Sequence, residues 1–380
     1  MKKKILFVIE SLNLGGAEKS LVTLLNNLNY DLISVDLMLF YRNGIFEKYC
    51  PPEVKIVDGP KVRRTIFDRI LFELYKLFNF KKLHNAQLFW RIVGNKYKVF
   101  PVKYDVAIAY SQGFASYFVS EYITAEKKFS WLNIDYRIAG YKIAFDYRLY
   151  SAFTKIVAVS DSVKLILQEE LNKIIKTLDI EIVRDIVDEK IIYMQADEEY
   201  INCFKTGINI VSVGRLVKQK AFSLAIEVCS ELKQNNIYVN WFILGEGRER
   251  KNLENLIKTN NLQDTFFLLG ATDNPYPYIN ACDIYVQTSL FEGLGISLIE
   301  AAFLNKPIVT TNFPTAYTII EHEKTGLICE MNANAIAKSI ERLIKDENLS
   351  NYFVNNLQTK DKSIDKVESI NEVNKLLEIQ

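Results

Sequence analysis

The sequence predicts two α/β domains in tandem, each a parallel sheet covered on both faces by helices. Three observations carry that prediction. Short β-branched runs alternate with amphipathic stretches along the whole chain. The runs are near-continuously apolar, as strands buried on both faces must be. The length of 380 residues suits two domains better than one.

Taken in order, Ile5–Ile9, Ser34–Phe40, Val106–Ala109 and Ile156–Val159 read as strands of the first half, with a further candidate at Phe129–Leu132. Ile208–Val213, Val239–Leu244, Phe266–Leu268, Ile284–Gln287 and Pro307–Thr310 read as strands of the second. Between them, Ala17–Leu28 and Phe222–Gln234 carry apolar residues at three- and four-residue spacing, the mark of a helix with one buried face. The polar stretch 196–208 precedes a fresh strand and marks the boundary, giving domains at 1–200 and 201–362. Residues 363–380 hold Ile364, Val367, Ile370, Val373 and Leu376 at helical spacing and are expected to pack back on the body. In doubly wound folds ligands sit beyond the carboxyl ends of the strands, so two such domains are expected to face each other across a binding cleft.

Composition narrows the function classes. Apolar residues make up 49% and charged residues 24%, an ordinary globular balance. Five scattered cysteines and two distant histidines, His84 and His322, give no zinc spacing, and fit small buried thiols in a reducing compartment. The basic start Met1–Lys4 leads into an apolar run, Ile5–Ile9, too short for a secretory signal. No stretch approaches the ~18 apolar residues of a membrane span. A cytoplasmic protein is expected.

Four segments carry chemistry. In Val286–Ala302 a strand leads through a glycine-containing loop to a helix, with Glu292 in the loop and Glu300, seven residues intervening, inside the helix. Free N–H groups at a helix start attract phosphate, and Gly293 and Gly295 let backbone approach an anion. A carboxylate beside such a site accepts hydrogen bonds from sugar or ribose hydroxyls; an acid that merely favours the helix dipole is the plainer alternative. In Val211–Lys220, Arg215 and Lys220 follow a strand end, where cations could neutralise a diphosphate leaving group or simply be loop charges. Gly245-Glu-Gly247 invites a dinucleotide reading, but Arg250 stands where the third glycine belongs. Gly15-Gly16, after the first strand, gives a tight turn into a helix.

In order and spacing these segments resemble the retaining GT-B-fold glycosyltransferases of the large group 1 family (family 4), which includes sucrose synthases and many bacterial surface-polysaccharide enzymes. The matching residues are Gly15-Gly-Ala-Glu18, Ile156–Ser160, Val213–Leu216 with Lys220, Gly245-Glu-Gly247, the Glu292/Glu300 pair and Pro307–Thr310. The resemblance implies transfer of a sugar from a UDP- or GDP-sugar to a hydroxyl of a saccharide acceptor, lipid-linked in surface-glycan synthesis, with retention and without metal or cofactor. It implies that Arg215 and Lys220 hold the donor diphosphate and Glu300 the ribose hydroxyls. Glu292 and the backbone of Gly293, Leu294 and Gly295 would face the donor sugar and its phosphate, and Gly16 would approach from the other domain. Three positions depart from the family pattern: Ala221 replaces a usual Gly, Asp185 a usual Asn, and Asn133 in Trp131–Asp135 a usual His. Asn133 cannot relay a proton, so an orienting role on the acceptor side is expected of it, with Asp135 accepting from the acceptor hydroxyl. A catalytically silent homologue serving as partner to an active transferase is the alternative.

One stretch stands apart. From Lys61 to Lys103 there are 11 basic and 2 acidic residues, with Ile66, Phe67, Ile70, Leu71, Leu74, Leu77 and Phe78 at helical spacing among Arg63, Arg64, Arg69, Lys76, Lys81 and Lys82. Basic, aromatic amphipathic segments suit an anionic membrane surface, here the inner face of the cell membrane. The competing reading is a domain helix with its apolar face in the core. Nucleic acid is excluded by the near-neutral net charge of +1 and the lack of a nucleic-acid-binding motif.

Overall fold

The computed structural model describes residues 2–13, 15–63, 65–78, 82–198, 202–359 and 366–379. Leu14, Arg64, Lys81, positions 199–201 of the polar boundary stretch, and positions 363–365 and 380 of the C-terminal segment lie outside the described residues.

The first sheet is built from β1 (Lys3–Ile9), β2 (Ile33–Leu39), β3 (Val54–Asp58), β4 (Lys103–Ala109), β5 (Thr124–Leu132), β6 (Lys155–Ala158) and β7 (Ile180–Ile182). The second holds β8 (Ile208–Val213), β9 (Val239–Leu244), β10 (Phe266–Gly270), β11 (Ile284–Gln287), β12 (Ile308–Thr311) and β13 (Leu327–Cys329). The orders are β3-β2-β1-β4-β5-β6-β7 and β10-β9-β8-β11-β12-β13, every pairing parallel. Both are doubly wound sheets whose order reverses beside the first strand, so each has a switch point at the carboxyl ends of its central strands. The central strands are apolar at their cores: Ile5, Leu6, Phe7 and Val8 in β1 and Ile210 and Val211 in β8 are fully buried.

By internal contacts the first unit comprises 1–13, 17–186 and 365–380, and the second 14–16 and 187–364. The helix Lys366–Leu377 buries Val373, Leu376 and Leu377 in the first unit. Just past it, Glu378 pairs with Lys3 at 3.0 Å and with Lys127. Of the cysteines, all unpaired, Cys229 and Cys282 are buried and the other three half-buried. Among the described residues no helix is long and apolar enough to cross a membrane.

Two buried carboxyls mark the first unit. Asp146 accepts from the Tyr117 hydroxyl at 2.6 Å and from that of Tyr136, and burial pushes it up to about 6. Asp185 accepts from Ser20 Oγ at 2.7 Å, and Ser20 meets the Tyr110 hydroxyl at 3.0 Å. Burial pushes Asp185 up to about 7, the Ser20 hydrogen bond working the other way. An amide at Asp185 would keep the acceptor without a charge to desolvate. The native state therefore holds a proton that the unfolded chain releases between roughly pH 4 and 7, and stability falls as pH rises through that window. We expect Asp185→Asn to flatten this fall and raise stability above pH 7 by roughly 1–3 kcal/mol. Urea unfolding at pH 5 and pH 8 measures it, and equal stability gains at both pH values would contradict it.

Candidate functional site

The chemistry-bearing residues of the second unit meet at the carboxyl ends of β8, β9 and β11. Here the sequence folds around glycine for reasons of space. A Cβ on Gly245 would lie 1.9 Å from the Gly214 carbonyl oxygen, and one on Gly247 would lie 2.4 Å from that of Leu216. The two loops can therefore touch only as bare backbone. Gly214 N donates to Leu244 O at 3.0 Å, Leu216 N to Glu246 O at 2.9 Å and Glu249 N to Leu216 O at 3.0 Å. Leu216 is fully buried as the anchor, which leaves Arg215 beside it pointing outward and exposed. Among the described residues the Arg215 side chain has no hydrogen-bond or ion-pair partner. The G-x-G at 245–247 is thus a backbone-packing element.

Beyond Arg215 the chain makes a 3₁₀ turn, Lys218–Lys220, and passes through Ala221 into the helix Phe222–Gln234. Ala221 sits in the left-handed region at φ 47°, which accounts for the glycine usual there. The loop after β11 is tied to this turn: Leu290 N donates to Gln219 O (2.8 Å), Gln219 Nε2 to Phe291 O (2.9 Å) and Thr288 Oγ1 to Lys220 O (2.9 Å). Gly295, at φ 85°, reverses the backbone into the helix Ile296–Phe303.

Between these loops Lys220 Nζ donates to Glu292 Oε1 at 2.6 Å, with side-chain exposures of 16% and 9%. The same oxygen accepts from Gln287 Nε2 at 2.9 Å and Ser289 Oγ at 2.5 Å. Among the described residues Glu292 Oε2 has only a 3.5 Å contact with Gln219 Nε2. One carboxylate oxygen is saturated and the other nearly unused. Gln287 in turn accepts from Ser297 Oγ at 3.2 Å on the first turn of the helix. Glu300 is 2% exposed and accepts from the Tyr276 hydroxyl at 3.2 Å, in the wall of the helix.

Lys220, Glu292 and Gly295 therefore come together, with Arg215 next in the chain to Gly214, over which Lys220 lies, whereas Glu300 is buried in the helix Ile296–Phe303. Lys220 and Glu292, assigned separately to diphosphate and sugar, are partners in one ion pair. Sequence reasoning missed Gln287, Ser289 and Gln219; the only signal was their place at a strand end and in the loops beside the two charged residues. In the first unit, Asn133 donates from Nδ2 to Tyr110 O (2.8 Å) and from its backbone N to Gln112 Oε1 (3.0 Å). Among the described residues Asn133 Oδ1 is buried with no partner. Asp135, 7% exposed, caps a turn by accepting from Ile138 N at 2.9 Å. Gly16 opens the helix Gly16–Leu25 after β1.

Comparison with known proteins gives a family match over the second unit. Residues 196–360 match the family model described as "Glycosyl transferases group 1", so the resemblance read from the sequence is borne out and that domain contains the whole Lys220/Glu292 cluster. The chain is 34% identical over 160 residues to the N-acetylgalactosamine-N,N'-diacetylbacillosaminyl-diphospho-undecaprenol 4-alpha-N-acetylgalactosaminyltransferase of Campylobacter jejuni, covering 42% of this chain and 43% of that one. It is 30% identical over 152 residues to the poly(ribitol-phosphate) alpha-N-acetylglucosaminyltransferase of Staphylococcus aureus, covering 40% and 31%. The matches thus span less than half the length of these relatives. The fold matches over nearly the whole chain: crystal structures of Anabaena HepE in complex with UDP and glucose (TM-score 0.71, 16% identity, 99% of each chain) and of S. aureus TarM (TM-score 0.70, 16% identity, 99% of each chain) share it. The two-sheet GT-B architecture expected from the sequence is the one observed.

Breaking one side of a mostly buried ion pair leaves an uncompensated charge. Discounting for the partial exposure of Lys220, Glu292→Ala should cost roughly 2–4 kcal/mol, and the double variant Lys220→Met/Glu292→Leu less than the sum of its single changes. Denaturant unfolding of the three variants measures the coupling; strict additivity would show that the pair is not a stabilising unit. At φ 47° Ala221→Gly should gain up to about 1 kcal/mol, read as a rise in Tm.

Proposed function

We propose that this chain transfers a sugar from a nucleotide-sugar donor, UDP- or GDP-linked, to a hydroxyl of a lipid-linked saccharide acceptor in surface-glycan synthesis. The observation that carries the reading is the cluster of Arg215, the Lys220–Glu292 pair and the start of the helix Ile296–Phe303 inside a glycosyl transferases group 1 domain. The printed activities of the Campylobacter and Staphylococcus relatives support transfer to surface-glycan acceptors, and the first of them a diphospho-lipid carrier.

Chemically, the anomeric C–O bond to the leaving diphosphate breaks as the acceptor oxygen attacks the same face. Its proton passes to the departing phosphate, and attack on the face the leaving group vacates retains the configuration. Negative charge grows on the diphosphate. Arg215, exposed and without a partner among the described residues, would meet it, together with Lys220 and the start of the helix Ile296–Phe303. Those cations would take the part a metal plays elsewhere. The nearly unused Glu292 Oε2 would accept from a hydroxyl of the donor sugar while its other oxygen stays fixed by Lys220, Gln287 and Ser289. Glu300 would act on the ribose side, Gly16 at the diphosphate, and Asn133 and Asp135 as acceptor-side orienting groups.

The membrane reading rests on the helix Ile66–Leu77. Its core-facing side holds Asp68, which pairs with Lys96 at 2.5 Å, and Phe72, whose ring lies 6.4 Å from that of Phe89. Its other side leaves Ile66, Phe67, Ile70, Leu74 and Leu77, with the adjoining Phe78, exposed by 46–76%. The apolar stripe is not in the core. Lys61, Arg63, Arg69, Lys76 and Lys82 flank it, and this fits docking on the anionic inner face of the membrane.

Arg215→Ala should slow transfer by about 10²–10³ with the fold intact, and a chelator should leave the rate unchanged. Release of UDP or GDP from a panel of nucleotide sugars measures both; no turnover with any donor would favour the silent-homologue alternative. Glu300→Ala should act mainly on donor KM and Glu292→Ala on kcat. Phe67→Ser/Leu74→Ser should release the protein from phosphatidylglycerol vesicles at low salt, and unchanged co-sedimentation would refute the docking face.

A further inference from the structure

Three donors converge on Glu292 Oε1, and they are not equivalent. Lys220 Nζ, at 2.6 Å, comes from a 3₁₀ turn with no buried residue and carries a charge for which any polyanion would compete. Ser289 Oγ, at 2.5 Å, belongs to the same loop as Glu292. Gln287 Nε2, at 2.9 Å, is the donor rooted in the sheet. Gln287 is the last residue of β11, a strand flanked by β8 and β12, and it lies in register with Thr310 of β12. Its side chain is buried, and its amide has one workable orientation. Gln287 Oε1 accepts from Ser297 Oγ at 3.2 Å and faces the Tyr285 hydroxyl at 3.4 Å. Turning the amide over would set its carbonyl oxygen against the carboxylate and its NH₂ against those hydroxyls.

We propose that Gln287 is the positioning residue of Glu292: it holds Oε1 from the sheet, leaves Oε2 to the donor sugar, and keeps that aim when the donor diphosphate draws Lys220 away. A carboxylate held by its counter-ion alone would swing with the counter-ion. One held from the end of a strand keeps the precision of the sheet. Ser297, on the first turn of the helix Ile296–Phe303, fixes Gln287 in turn, so the series Ser297–Gln287–Glu292 joins the helix start to the carboxylate. The inference rests on the transferase reading and adds a residue that acts on the reaction only through Glu292.

The test combines transfer kinetics with calorimetry of UDP and GDP binding on the full chain. Gln287→Met keeps the volume and removes both polar ends; Gln287→Glu keeps the acceptor for Ser297 and loses the donor. Both should bind nucleotide within about twofold of wild type, while kcat falls roughly 10–10²-fold at unchanged donor KM. In a Glu292→Gln background, Gln287→Met should change kcat little further, because it acts through that carboxylate. Gln287→Glu should recover relative to wild type as pH falls from about 8 to about 5, since a proton shared by the two carboxyls restores a donor facing Glu292, with Lys220, Ser289, Ser297 and Tyr285 the other groups around them. A role in packing alone predicts none of these. Unchanged kcat in both variants, loss of nucleotide binding in both, full additivity with Glu292→Gln, or a Gln287→Glu rate in constant ratio to wild type across that pH range would overturn the assignment and leave the transferase reading standing. A wild type that turns over no donor would overturn both.

Discussion

The second unit depends on a contact that only bare backbone allows. Gly245 and Gly247 bring the loop after β9 within hydrogen-bonding reach of Gly214–Leu216, in a space where any Cβ would overlap a carbonyl oxygen. Once that contact is fixed, Leu216 is buried, Arg215 is turned outward, and the 3₁₀ turn carries Lys220 over Gly214 to Glu292. Close packing leaves no intermediate arrangement, so a methyl group at Gly245 would dismantle the charge constellation without touching a charged residue.

The ion pair then sets the electrostatics. With Lys220 held by Glu292, Arg215 is the cation beside them without a partner among the described residues, and the start of the helix Ile296–Phe303 adds positive potential. An arriving diphosphate would draw Lys220 toward itself and leave Glu292 held by Gln287 and Ser289, so the carboxylate would keep its aim while its counter-ion was shared. Residues that neither reading of the motif singled out thus do the orienting, and their hydrogen bonds explain why a strand-end glutamine and a loop serine sit there.

Much of this was legible in the sequence, and the misses have a common cause. Ile208–Val213, Val239–Leu244 and Ile284–Gln287 are legible to the residue, because interior strands buried on both faces are mostly apolar runs. The strands not anticipated, Val54–Asp58, Ile180–Ile182 and Leu327–Cys329, all lie at sheet edges, where one flank is open and the run is short or mixed. Only the apolar end of β5 was visible, since Thr124–Lys128 is mostly polar. The amphipathic pattern at 66–78 was plain, but periodicity cannot say whether an apolar face meets core or solvent; burial of Asp68 and exposure of Phe67 decide it. The pairing of Lys220 with Glu292 joins residues 72 positions apart and was beyond any local pattern.

We propose that the loops after β8 and β11, with the start of the helix Ile296–Phe303, form a nucleoside-diphosphate site. Hydrogen–deuterium exchange with and without UDP or GDP tests it most directly, because bound phosphate engages the amides themselves. The account predicts slowed exchange confined in the second unit to 214–221 and 289–299, lost in Arg215→Ala/Lys220→Ala. Ligand binding that protects other segments while leaving those two unchanged would contradict it.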